Sequence, residues 1–107
     1  SDLVAADMGA AFMERLRSLQ AELPVIGDVR GLGAMCGVEF VSDPVTKEPA
    51  GELAASIIQG ALRRGLLMES AGTAGNVIRF LAPLVMTDAQ FEAGLHIYEE
   101  SIREAAG

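Results

Sequence analysis

One arginine stands inside an apolar run: Arg79 interrupts Val77, Ile78, Phe80 and Leu81. In an extended strand it shares a face with Val77 and Leu81. A guanidinium on such a strand needs a carboxylate, a phosphate or open water, because burying an unpaired charge is prohibitive. Spacing alone leaves two readings open. Arg79 is either an edge-strand arginine that reaches solvent or pairs with Glu69 across a hairpin, or it is the group that holds an anionic ligand.

The other residue types able to do chemistry stand in poorer settings. Arg30-Gly31-Leu32-Gly33, with Gly37 beyond, resembles a phosphate loop in composition, but it lies at the start of a strand and lacks the glycine-rich turn into a helix that such sites use. We read these glycines as a face without side chains onto which another domain can dock closely. Thr73, between Gly72 and Gly75, offers a hydroxyl to a ligand, although turn geometry alone explains Gly-Thr-Ala-Gly. His96 has no second His or Cys at ligand spacing and falls off the apolar stripe of its helix, so it reads as solvated. Cys36 is the sole cysteine, which excludes an intramolecular disulfide, and its place on an apolar strand face reads as core. Lys47, the sole lysine, sits among turn formers with Asp43, Glu48 and Glu52 as an ordinary solvated charge. A Schiff-base lysine needs a desolvated pocket instead.

The elements that position these residues follow from hydrophobic period. Val4, Met8, Phe12, Leu16, Leu19 and Leu23 recur at helical spacing from Leu3 to Leu23, and Pro24 stops the helix. From Val29 to Val41 the period becomes two: Leu32, Ala34, Cys36, Val38 and Phe40 on one face, and Gly31, Gly33, Met35, Gly37 and Glu39 on the other. A turn-rich stretch from Asp43 to Gly51 leads into a second helix in which Leu53, Ile57 and Ala61 sit beside Ala54, Ile58 and Leu62, with Gly65 placed for a left-handed cap. Leu66 to Ser70 and Asn76 to Ala82 read as the strands of a hairpin closed by Pro83. Thr87 and Gln90 form a capping box, Met86 can staple onto Phe91, and Phe91, Leu95, Tyr98 and Ile102 are the buried stripe of the last helix. The expectation is an α+β fold: a small, mostly antiparallel, three-stranded sheet with helices over one face.

Length and charge bound the function. A chain of 107 residues makes one domain, 1–107, and is too short for a second catalytic domain. Half of its residues are hydrophobic and its mean hydropathy is +0.33, high for so small a free-standing domain, so some apolar surface is expected to face a partner. The net charge of -7, with no run of Lys or Arg, argues against nucleic acid and against anionic membranes. No apolar stretch is long enough to span a bilayer, and the composition leads us to expect a cytoplasmic protein.

Val29-Arg-Gly-Leu-Gly-Ala-Met-Cys-Gly-Val-Glu-Phe, Gly65-Leu-Leu through Gly72-Thr, and above all Asn76-Val-Ile-Arg-Phe-Leu-Ala-Pro-Leu resemble the C-terminal small domain of class-III aminotransferases. The continuation Thr87-Asp-Ala-Gln-Phe-Glu-Ala-Gly-Leu is similar to the closing helix of the 4-aminobutyrate aminotransferases within that class, and the likeness covers nearly the whole chain. The resemblance implies the small domain of fold type I pyridoxal phosphate enzymes, with the cofactor held by a large domain of the same polypeptide and by no residue of this chain. The implied reaction moves an amino group from 4-aminobutyrate or a similar omega-amino compound to 2-oxoglutarate, in a homodimer, and the domain alone is expected to be inactive. Arg79 aligns with the family arginine that contacts a substrate carboxylate at the domain interface. It would take the α-carboxylate of glutamate or 2-oxoglutarate, and pair with a large-domain glutamate when 4-aminobutyrate is bound. The competing reading is a free-standing small-molecule-binding or assembly domain without catalysis.

Overall fold

The computed structural model describes residues 5–32, 35–81 and 87–107, with side chains described for 8–30, 37–79 and 87–107. The helical period at the N-terminus yields α1 (Ala5–Glu22). Met8, Phe12, Leu16 and Leu19 are its buried stripe, and the helix ends two residues before Pro24, which has no N–H to continue it. Two strands follow, β1 (Ile26–Leu32) and β2 (Met35–Phe40). Then come α2 (Gly51–Arg63), a two-residue β3 (Ser70–Ala71), β4 (Val77–Leu81) and α3 (Asp88–Ala106).

The sheet is antiparallel throughout, in the order β1-β2-β4-β3. It has four strands, not the three expected, because the segment from Val29 to Val41 is not one strand. Leu32 pairs with Met35 and Val29 with Val38, so the chain reverses on itself. That reversal also divides the expected glycine stripe. Gly37 pairs with Arg30 and Gly31 with Cys36, and neighbours along a strand face opposite ways. The strand expected from Leu66 to Ser70 shrinks to Ser70–Ala71. Its hairpin with β4 stands, turning through Gly72 and Gly75, both at positive φ.

All three helices lie on one face of the sheet. There Val29, Val38, Phe40 and Ile78 meet the α1 stripe, Ala54, Ile57 and Ala61 of α2, and Phe91, Leu95, Tyr98 and Ile102 of α3 in one core. The rings of Phe12 and Tyr98 stack at 6.1 Å, joining the first helix to the last. Leu62, expected beside this core, is instead 51 % exposed. Gly65 takes φ +91 after α2, the left-handed conformation its position demands. At the start of α3 the capping box is formed: Gln90 N–H donates to Thr87 Oγ1 at 3.1 Å, and Thr87 N–H donates to Gln90 Oε1 at 2.9 Å. Leu3, Val4, Gly33, Ala34, Pro83, the Met86 staple and the core placement of Cys36 lie outside the described residues or side chains.

Ion pairs clasp the outer surfaces of α1 and α3. Arg15 reaches Glu92 at 2.8 Å and Glu99 at 2.9 Å, and Arg103 reaches Glu22 at 2.9 Å and Glu99 at 3.1 Å. Partial burial would raise the Glu99 pKa, but hydrogen bonds and attraction from Arg15 and Arg103 together hold it below its usual value. Among the described residues no helix is long and apolar enough to cross a membrane.

Candidate functional site

With the helices gathered on one side, no described element covers the opposite face of the sheet, and that face carries the polar set. The register places Arg30, Gly37 and Arg79 in one row across β1, β2 and β4, with Asp28, Glu39 and Val77 in the next. Asp28, Arg30 and Arg79 are exposed, and Gly37, Glu39 and Val77 are half-buried.

The two arginines of the row differ in what holds them. Arg30 is engaged: its Nε donates to Asp28 Oδ2 at 2.7 Å and a terminal nitrogen to Glu39 Oε2 at 3.4 Å. Arg79 makes no hydrogen bond or ion pair with any described residue. It lies on β4, where β2 flanks it through Gly37, but β3 pairs only with Val77 and Ile78, so beside Arg79 the β3 side of β4 has no strand partner among the described residues. The pairing with Glu69 that the hairpin would allow is not formed, since β3 extends only over Ser70 and Ala71. Among the described residues, the remaining account for Arg79 is open water.

Gly37 shapes the space beside that arginine. Among the described residues, a Cβ built on Gly37 would meet only Val77 Cγ1, at 3.7 Å, an ordinary contact, so no described neighbour requires glycine there. What the missing side chain provides is clearance over the sheet between Arg30 and Arg79.

The other candidates are placed apart from this row. His96 is exposed on α3, and Thr73 is exposed in the β3–β4 turn. Lys47 is exposed in the loop after β2 at φ 62, where its N–H donates to the Asp43 carbonyl at 2.9 Å. This is not the desolvated pocket a Schiff-base lysine needs, so Lys47 does not fit the attachment of pyridoxal phosphate. Among the described residues no group of three or more His, Cys, Asp or Glu is gathered as for a metal. Sequence reasoning passed over Asn76, which is 7 % exposed and bonds across the sheet to Phe40. A lone Asn between a glycine and an apolar strand was its only signal.

Comparison with known proteins adds an independent line. The family model described as aminotransferase class-III matches residues 3–102. The chain is 43 % identical over 97 residues to a probable 4-aminobutyrate aminotransferase of Bacillus subtilis, covering 91 % of this chain and 22 % of that protein. It is 46 % identical over 99 residues to a 5-aminovalerate aminotransferase of Pseudomonas aeruginosa, covering 92 % and 23 %. A solved aminotransferase from Bacillus anthracis superposes with a TM-score of 0.82 at 27 % identity, over 94 % of this chain and 23 % of that one. The chain thus spans less than a quarter of the length of each of these proteins.

Proposed function

Because this chain belongs to the class-III aminotransferases, we propose that it is the C-terminal small domain of an enzyme that moves an amino group from 4-aminobutyrate, or a similar omega-amino compound, to 2-oxoglutarate. Pyridoxal phosphate, which the family implies, supplies the electron sink for such a transfer when bound. In this reading it is held by a large domain outside this chain, and the domain alone does not transaminate. The full-length enzyme is a cytoplasmic homodimer. The small domain's part is to close on the large domain with its uncovered sheet face and to present Arg79.

The observation that carries this reading is an exposed arginine on the uncovered sheet face with no partner among the described residues, beside a glycine whose place no described side chain would contest. Docking a second domain on that face would exclude water from Arg79 and leave its charge seeking a carboxylate. A planar fork binds a carboxylate bidentately and fixes its orientation, which places the substrate's reacting carbon. 2-Oxoglutarate offers an α-carboxylate to this fork. 4-Aminobutyrate has none, so Arg79 would pair with a glutamate of the large domain while that donor reacts.

The test is to assay the full-length enzyme with 4-aminobutyrate and 5-aminovalerate as donors, following glutamate made from 2-oxoglutarate, alongside the 107-residue chain supplied with pyridoxal phosphate. Glutamate formation by the full-length enzyme alone is expected. Turnover by the isolated chain, or no glutamate with either donor, would reject the reading.

A further inference from the structure

Besides the Tyr98 hydroxyl, two polar side chains are buried among the described residues, and only one of these two joins distant parts of the chain. Ser101 bonds within its own helix, to the Ile97 carbonyl at 2.7 Å. Asn76 Nδ2 instead donates to the Phe40 carbonyl at 3.0 Å, while Phe40 N–H donates to the Asn76 carbonyl at 2.9 Å. The same Phe40 carbonyl accepts Ala50 N–H at 3.1 Å. One carbonyl therefore ties together the end of β2, the residue just before α2 and the residue just before β4. Ala50 brings no side-chain cap to α2.

A second contact grips the same place. The Ala74 carbonyl oxygen lies 2.6 Å from where a Cβ on Gly51 would stand, closer than a real Cβ tolerates. Only glycine lets the β3–β4 turn close onto the start of α2. Ala50 and Gly51 are consecutive: Ala50 shares the Phe40 carbonyl with Asn76, and Gly51 lies against Ala74 in the turn that delivers β4.

Arg79 is three residues further along β4, and no described residue holds its side chain. The placement of its guanidinium is therefore inherited from the backbone of β4. We propose that Asn76 and Gly51 are positioning residues for Arg79: the clamp at Phe40 and Ala74 sets where β4 enters the sheet and so how well the arginine meets the α-carboxylate of 2-oxoglutarate. This inference rests on the role given to Arg79 above. A bidentate contact is sensitive to small displacements, which makes the clamp legible in kinetics.

The experiment compares Asn76→Asp, Gly51→Ala and Arg79→Ala in the full-length enzyme. Asp keeps the shape of Asn, but an ionised carboxylate has no proton to give the Phe40 carbonyl. Both positioning variants are expected to raise the KM for 2-oxoglutarate about tenfold while changing the 4-aminobutyrate half-reaction less than about twofold. The Asn76→Asp deficit should shrink as pH falls, because a protonated Asp can again donate to Phe40, and the Gly51→Ala deficit should not. Equal losses in both half-reactions, or no change in either variant while Arg79→Ala impairs 2-oxoglutarate, would overturn the positioning role and leave the Arg79 assignment standing. An intact 2-oxoglutarate half-reaction in Arg79→Ala would overturn both. Where Asn76→Asp does not fold, Gly51→Ala decides alone.

Discussion

Replacing Arg79 separates the stability of the domain from its role in the enzyme. In this structure the side chain is exposed and makes no hydrogen bond or ion pair with a described residue. Arg79→Ala should therefore shift the urea unfolding free energy of the 107-residue chain by no more than about 0.5 kcal/mol, the range for surface positions without special contacts. In the full-length enzyme the expectation is opposite in scale. Truncating one partner of a desolvated, hydrogen-bonded charge pair costs about 2 to 5 kcal/mol. At about 1.4 kcal/mol per factor of ten, that is roughly thirtyfold to a few thousandfold in kcat/KM for 2-oxoglutarate. Arg79→Lys keeps the charge but loses the fork and should fall between alanine and the parent. Single-turnover measurement of each half-reaction, followed by cofactor absorbance, gives the two numbers independently. The 4-aminobutyrate half should lose much less, since that substrate has no α-carboxylate. Equal loss in both halves, or a loss that merely tracks a drop in stability, would refute the reasoning.

Glycine substitutions on β1 and β2 should diverge. A Cβ on Gly27 would stand 2.7 Å from Cγ1 of the fully buried Val41, so Gly27→Ala is expected to destabilise the chain by about 1 to 3 kcal/mol. Gly37→Ala, with only a 3.7 Å contact, should unfold with the parent, and coincident urea midpoints for all three proteins would contradict the packing argument. The Glu99 ion pairs predict an acid limb. Because its folded-state pKa is lowered from 4.5, its stabilisation is present above the unfolded value and is lost as pH falls through the folded one. Glu99→Gln should lower stability at neutral pH and flatten the decline below about pH 4.5. A parallel decline in variant and parent would show that Glu99 does not carry it.

The helices were legible because each buries one stripe: Met8 to Leu19 and Phe91 to Ile102 repeat at helical spacing, and Thr87 with Gln90 marks the start of α3. The reversal between Leu32 and Met35 was not, for a geometric reason. Alternation runs without a break through Gly31-Leu-Gly-Ala-Met-Cys-Gly, and the segment lacks the Asn-Gly or Asp-Gly signal of a tight hairpin. Pairing Leu32 with Met35 sets even-numbered residues before the turn opposite odd-numbered ones after it. A pattern count therefore assigns Gly31 and Gly37 to one face when they occupy two. Arg79 was conspicuous as a charge in an apolar run, yet spacing alone did not choose between solvent and an anionic ligand, and no described residue bonds it. Asn76 was hidden for the converse reason: its bond is to a backbone carbonyl, and a carbonyl leaves no trace in the identity of Phe40.

The position of β4 between β2 and β3 has a consequence for the order of assembly. The pairs β1–β2 and β3–β4 join neighbours in sequence, whereas β2–β4 joins strands separated by the whole of α2. Loop closure makes the nearby pairings entropically cheaper, so two hairpins can form before the seam between them is sealed. The row that carries Gly37 and Arg79 lies across that seam. Ile78→Val, on the core side of the same strand, is then expected to speed unfolding more than it slows refolding, which stopped-flow kinetics can measure. A loss carried wholly by the refolding rate would place the seam in the nucleus instead. If it forms last, the row of Gly37 and Arg79 is unassembled in the partly folded states of the domain, and the carboxylate contact proposed for Arg79 would be lost with it.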